Sequence, residues 1–141
     1  NVYRDFICRD LAGKEVKLSD YVHPGHVTMV DFWASWCVPC VQELSFLKSL
    51  YQTYHGQGLD IVSVSLDTKR SAWEAAVKKH QIPWPQISDL KGWHGTITKD
   101  YAISAIPFII VIDQKGKIAV RNLHDYKLEN AIKELLAAKN K

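Results

Sequence analysis

Residues 26–33, HVTMVDFW, form a β-branched and aromatic run of strand length with a single charge, Asp31, at its middle. Such a run is a buried strand, and a charge inside it is costly to hold without a purpose. The chain around it alternates between strand-like and helix-like pieces. YRDFICRDLAGKEVKLSDY (3–21) has two short extended runs about an AGK turn and predicts a hairpin. From Pro39, the positions Val41, Leu44, Leu47, Leu50, Tyr51 and Tyr54 recur at helical spacing until HGQG (55–58) ends the helix. LDIVSVSLD (59–67) is the next strand, and SAWEAAVKKHQI (71–82) is helical, with Trp73, Ala76 and Val77 on one side and Pro83 as its stop. PWPQISDLKGWHG (83–95) is turn-rich, with a short helix following over 96–102. PFIIVID (107–113), a turn at QKGK (114–117) and IAVRNL (118–123) make an antiparallel pair, before a final helix from about Lys127 to Ala138. This order predicts an α/β fold with a mostly parallel central sheet and helices on its faces.

Length and composition exclude several classes. The 141 residues suit one domain with its own core, and no repeat, low-complexity tract or linker divides them, so 1–141 reads as a single unit. The longest apolar runs, such as IPFIIVI (106–112), are strand-length, so no transmembrane segment is expected. The formal charge of +3 is mild. Lys127, Lys133, Lys139 and Lys141 scatter over the last helix among Glu129 and Glu134, a solvated face rather than a nucleic-acid footprint. The chain opens at NVYRDF with neither an initiator Met nor a signal peptide, as a mature form or a piece of a longer protein would.

The chemistry lies in FWASWCVPCVQEL (32–44), where Cys37 and Cys40 stand between the buried strand and the first helix. The first turn of a helix leaves backbone N–H groups unpaired and adds partial positive charge. A thiolate at Cys37 is stabilised there, which predicts a pKa below the free value of about 8.5. Cys40 lies one turn further in and faces the core, so one sulfur attacks and the other resolves. Pro39 suits an early helical position, where its missing N–H is no loss. Trp33 and Trp36 are expected to keep water off the pair.

VDFWASWCVPC resembles the thioredoxin superfamily, in which a strand ending in Asp-Phe-Trp-Ala-x-Trp leads into Cys-x-Pro-Cys. AIPFIIVID (105–113) is similar to the second landmark of that family, an Ile-Pro at a strand start with the proline cis and facing the disulfide. The opening DFICRDLAGKEVKLSDY, the Glu of CVQE, the segment SLDTKRSAWEAAVKKHQIPWPQISDLKGW and the hairpin IDQKGKIAVRNL more narrowly resemble the bacterial extracytoplasmic branch, the TlpA/ResA-like thiol-disulfide proteins. The resemblance covers essentially the whole chain. It implies a thioredoxin-like fold: a central mixed sheet flanked by helices, an N-terminal hairpin, and a helical insertion before the strand that Pro107 opens.

It also implies roles. Cys37 would be the nucleophile and Cys40 the resolving thiol of a thiol-disulfide oxidoreductase whose cofactor is its own disulfide. Asp31 and Glu43 would be acid/base candidates that raise the inner thiol's pKa and accept its proton. Thioredoxins pair this aspartate with a lysine. IVSVSLD carries none, which favours an uncharged Asp31 with a raised pKa. Trp36, Val38, Pro39, Ile106 and Pro107 would bind the substrate, the Ile106 backbone pairing with it like an added strand. Partners would be disulfide-containing proteins, with a membrane thiol carrier as electron donor, outside the cytoplasm in a bacterial periplasm or envelope. A Cys-x-Pro-Cys beside acidic groups resembles reducing members, and Val38 stands where strong oxidants have a His.

Other readings remain beside this one. A permanent Cys37–Cys40 staple would close a very short loop and gain little from it. A zinc site joining His23 and His26 of HPGH to the cysteines would have to span the buried strand, about 20 Å. A peroxidase of peroxiredoxin type has its cysteine in Thr-x-x-Cys, whereas ASWC puts Ala34 in the Thr position. A redox adaptor domain of a larger envelope protein is the non-enzymatic alternative. Cys8 reads as a half-buried strand residue, and Trp73, Trp84 and Trp93 as packing, with Trp84 a possible wall of the substrate groove. His80, His94 and His124 carry no assigned role.

Overall fold

A computed structural model of the chain describes residues 1–138. Its strands are β1 (Ile7–Asp10), β2 (Glu15–Lys17), β3 (Val27–Trp33), β4 (Leu59–Ser65), β5 (Gln86–Ser88), β6 (Phe108–Ile112) and β7 (Ile118–Arg121). Its helices are α1 (Val38–Tyr54), α2 (Arg70–Lys79), α3 (Ile97–Asp100) and α4 (Asp125–Ala137). Each segment read from the sequence is present within a few residues of its expected ends. Lys139 and Lys141 lie outside the described residues.

The strands form one sheet in the order β2-β1-β5-β4-β3-β6-β7, with β3, β4 and β5 parallel and the remaining pairs antiparallel. The sheet is therefore mixed, as the resemblance implies, and not mostly parallel. The reason lies in the connection from β5 to β6. Ser88 ends β5 beside Ser65, and Phe108 opens β6 beside Phe32, so both lie at the C-terminal end of the parallel strands. The intervening chain never crosses back over the sheet, and β6 must run the other way.

The turn-rich 83–95 segment holds a strand that its sequence does not announce. β5 is three residues long and follows Pro85, too short to show a period. Its pairing comes from its neighbours: Ser63–Gln86 and Ser65–Ser88 on one side, and Arg9–Ser88 on the other. It joins the N-terminal hairpin to the main sheet.

Strand residues alternate between two faces. Val27, Met29 and Trp33 of β3, Leu59 and Ile61 of β4, and Ile109 and Val111 of β6 pack under α1, α2 and α4, meeting Leu44, Leu47, Leu50, Trp73, Leu128 and Ile132. Val30, Phe32, Val62, Val64, Ile110 and Ile112 form the opposite core with Cys8, Val16, Leu18, Ile97 and Tyr101. The same alternation puts Asp31, Ser63 and Ser65 on the α1 face. That placement builds the site.

Candidate active site

Cys37 is the N-cap of α1, in extended backbone (φ −93°, ψ 100°), and Val38 and Pro39 are the first two helical residues. Its sulfur is bonded to that of Cys40, the Cα atoms standing 5.2 Å apart, and it accepts the Cys40 backbone N–H at 3.3 Å. That N–H is one of the orphan donors of the helix start, so the sulfur sits where the helix offers its partial positive charge. Cys40 is 2% exposed and Cys37 6%, both covered in the disulfide. The Ile106–Pro107 peptide is cis, and the Ile106 carbonyl oxygen lies 3.8 Å from Cys37 Sγ. The two landmarks, seventy residues apart in the chain, thus meet at one sulfur.

The two tryptophans divide. Trp33 is fully buried and donates its indole N–H to Gln86 Oε1 at 3.1 Å. Trp36 is 56% exposed and Val38 65%, so Trp36 forms an apolar rim beside the pair and does not seal it from water. Trp33 ends a strand and points under α1, whereas Trp36 sits in the turn beyond it and points outward. Trp84 does not wall a groove at the cysteines. It is buried between the sheet and α1, against Tyr51, and donates its indole N–H to Ser63 Oγ at 2.7 Å.

Asp31 lies on the α1 face, 2% exposed, and accepts the Ser63 hydroxyl at 3.1 Å. No lysine approaches it among its described hydrogen-bond and charge partners. Burial, and then the Glu43 charge, push its pKa up to about 7 against the smaller opposing pull of Ser63. A raised pKa is the direction expected of a buried aspartate with no lysine partner. Glu43 follows Cys40 by three residues and shares its helix face. Its side chain is largely covered, and Oε2 lies 2.5 Å from Nδ1 of His124. It is not an exposed helix charge.

His124 was missed from the sequence. It stands just before α4, eighty-one residues from its partner, with no local pattern to mark it. Asp67 was missed as well. It is 1% exposed at the end of the β4 segment and accepts the Ser35 N–H at 3.1 Å, the Ser35 hydroxyl, and the Ser65 hydroxyl at 2.6 Å. These bonds hold the turn that delivers Cys37, whose own N–H bonds the Ala34 carbonyl at 3.1 Å. A lone charge closing a buried strand was the available signal, the same kind that marked Asp31.

Cys8 is a free thiol and more deeply buried than expected, 3% exposed in β1, where burial and then Asp89 push its pKa up to about 12. His26 pairs with Asp60 at 2.8 Å, at the end of β3 away from the cysteines. Among the described residues, no cluster of three or more His, Cys, Asp or Glu side chains is arranged to hold a metal. No helix among them is long and apolar enough to cross a membrane.

Residues 1–121 match the model of the AhpC/TSA family. The chain belongs to that family. Proteins similar to the chain include thiol-disulfide oxidoreductases. The thiol-disulfide oxidoreductase ResA of Bacillus thuringiensis subsp. konkukian is 32% identical over 114 residues, 81% of this chain and 63% of the relative. ResA of Bacillus subtilis (strain 168) is 27% identical, covering 81% and 61%. The chain thus spans less than two thirds of the curated relatives it matches. A thiol-disulfide oxidoreductase from Bacteroides fragilis superposes with a TM-score of 0.88 at 31% identity, covering 96% of this chain and 99% of that one. The thioredoxin domain of a thiol-disulfide oxidoreductase from Bacteroides vulgatus superposes with a TM-score of 0.87 at 29% identity, covering 96% of each. The chain is accordingly a ResA-like member of the thioredoxin superfamily, with a thioredoxin-like fold and a Cys37–Cys40 disulfide of the thiol-disulfide oxidoreductase type.

Proposed function

We propose that the chain reduces disulfides in partner proteins by dithiol exchange at Cys37 and Cys40. The observation that carries this reading is the placement of the pair. Cys37 Sγ accepts a helix N-terminal N–H and faces the Ile106 carbonyl, while Cys40 lies inward on a helix face with Glu43, whose charge bears on the buried Asp31. The Cys37 thiolate attacks a partner disulfide and forms a mixed disulfide. Cys40 loses its proton to Glu43 or Asp31 and attacks Cys37, and the reduced partner leaves. Trp36 and Val38 offer an exposed apolar rim, and Pro39, Ile106 and Pro107 frame the path along which an extended peptide docks.

A Cys40→Ser variant is the test. It should accumulate a mixed disulfide through Cys37, and release of product at the wild-type rate would reverse the assignment of roles. The reducing direction is tested by the reduction potential. A value near −270 mV is expected, and one near −120 mV would make the chain an oxidant.

The matches to ResA proteins support work outside the cytoplasm on disulfide-containing proteins, and the proposal adds a membrane thiol carrier as the electron donor. The similarity to a thioredoxin domain supports residues 1–141 acting as one domain of a longer envelope protein. The family model leaves a thiol peroxidase as second reading. Against it stands Ala34, a buried methyl at the position where a hydroxyl would hold peroxide. Peroxide consumption measured beside reduction of an insulin-type disulfide separates the two. A redox adaptor would show neither turnover while still capturing one partner.

A further inference from the structure

His124 closes the site at the start of α4, and the exchange chemistry above leaves it without a task. It occupies the N-cap position, yet its side chain caps nothing. Its ring turns back towards α1, with Nδ1 2.5 Å from Glu43 Oε2 and Nε2 2.7 Å from Asn122 Oδ1. Asn122 (φ +56°) and Asp125 (φ +54°) are both in left-handed backbone and bracket the histidine, bending the chain so that the ring reaches Glu43.

The contacts define what the ring can hold. An imidazolium donates from both nitrogens, to the Glu43 carboxylate and to the Asn122 carbonyl oxygen. A neutral ring with its proton on Nδ1 keeps the Glu43 bond, and the Asn122 amide can rotate to offer its NH₂ to Nε2. In either form Nδ1–H donates to Oε2. The other carboxylate oxygen, Oε1, is buried and has no hydrogen-bond partner among the described residues. A buried carboxylate oxygen without a donor is costly and calls for an explanation in function.

We propose that His124 is a positioning residue for the resolving step: by fixing Oε2 of Glu43, it leaves Oε1 open as the acceptor of the Cys40 thiol proton. This rests on the roles given above to Cys40 and Glu43. In the mixed disulfide, Cys40 Sγ gives its proton to Glu43 Oε1, and its electron pair forms the bond to Cys37 Sγ. The bond from Cys37 to the partner sulfur breaks, and that pair leaves on the partner sulfur, which takes a proton from solvent. Two electrons have then passed from the dithiol to the partner. Glu43 returns its proton to solvent on the His124 side, where the histidine side chain is 30% exposed.

The titratable groups around His124 are Glu43 on α1, Asp31 on β3 behind Glu43, and Asp125, its neighbour in the chain. The experiment is a single turnover of reduced protein with an aromatic bis(nitrobenzoate) disulfide. Coloured thiolate appears once as the mixed disulfide forms and again as Cys40 resolves it. In His124→Ala the ratio of second to first rate should fall on the order of tenfold, less than the roughly 10²–10⁴ of a general base itself. The acid limb of the second phase should move, and the pH profile of the first phase should stay where it is. His124→Gln, which keeps a donor without a titrating ring, should recover much of the ratio. Glu43→Gln should slow the second phase at least as much, and adding His124→Ala to it should slow it no further. A His124→Ala protein with a wild-type ratio and acid limb, beside a slow Glu43→Gln, would overturn the inference and leave the site reading intact. Slowing by the two substitutions that multiplies would also overturn it, because His124 would then act elsewhere. A Glu43→Gln protein that resolves normally would instead remove the role of Glu43 itself.

Discussion

Ser63 donates its hydroxyl to Asp31 Oδ2 across 3.1 Å, from the position directly paired with Asp31 in the parallel ladder of β3 and β4. The direction of that bond is set from behind, because the indole N–H of Trp84 already occupies Ser63 Oγ as a donor at 2.7 Å. Ser63 is therefore left to give its own proton forward, to the carboxylate.

Ser63→Ala removes this support and leaves the Trp84 indole N–H without an acceptor. Loss of a bond that lowers the Asp31 pKa should raise it further. Stability should drop by about 1–3 kcal/mol, the cost of an orphaned buried polar group. Urea unfolding of the oxidised protein measures the drop, and the carboxyl signal of Asp31 followed by NMR against pH measures the shift.

Asp31 makes the oxidised protein's stability depend on pH in an unusual sense for an acid. Its folded pKa lies near 7 against an ordinary aspartate value of 3.8, so between the two the folded state binds more protons than the unfolded. Its favourable contribution is complete below the unfolded pKa and is lost as pH rises through about 7. Asp31→Asn should remove that dependence. Relative to the wild type, the variant should gain on the order of a few kcal/mol between pH 4 and pH 8. Denaturant midpoints at the two pH values give the answer.

Asp67→Ala should free the turn before Cys37. The Ser35 N–H loses its acceptor, and its amide exchange should speed up well beyond that of amides in the middle of β3. A stability loss of roughly 1–3 kcal/mol should accompany it, with slower attack by Cys37 in the first phase of exchange. Hydrogen exchange and stopped-flow kinetics read the two effects separately.

Trp36→Ala should leave unfolding within about 0.5 kcal/mol of wild type, as an exposed side chain away from caps and networks does. Its effect should fall on substrate, as a raised KM for a protein disulfide and a small change for a low-molecular-weight one. Steady-state assays with both substrates make the comparison.

The parts of the site that were legible in the sequence are those that lie in one stretch or carry a chemical oddity. Cys37, Pro39 and Cys40 form a contiguous motif at a strand-to-helix junction, and Asp31 is a charge in an otherwise apolar strand. Glu43 follows from helical spacing. What stayed hidden depends on register. Ser63 meets Asp31 only because β3 and β4 align residue for residue, and Gln86 receives the indole N–H groups of Trp33 and Trp73 only through the brief ladder of β5. His124 reaches Glu43 through the packing of α4 against the α1 face, a contact no local window contains. The antiparallel β6 escaped for a similar reason: strand-helix alternation does not record at which end of the sheet a connection emerges.

The short β5 also governs the behaviour of the sheet as a surface. On one side it pairs with β4, and on the other it is capped by the hairpin of β1 and β2, whose outermost strand carries Glu15 and Lys17 facing outward. A protein cut just before His23 would lose that cover and leave a row of unpaired amides and carbonyls beside an apolar interior. Such a raw margin invites a second copy to add its own strand there. The hairpin of β1 and β2 thus acts as the guard that keeps each molecule from being stitched to the next.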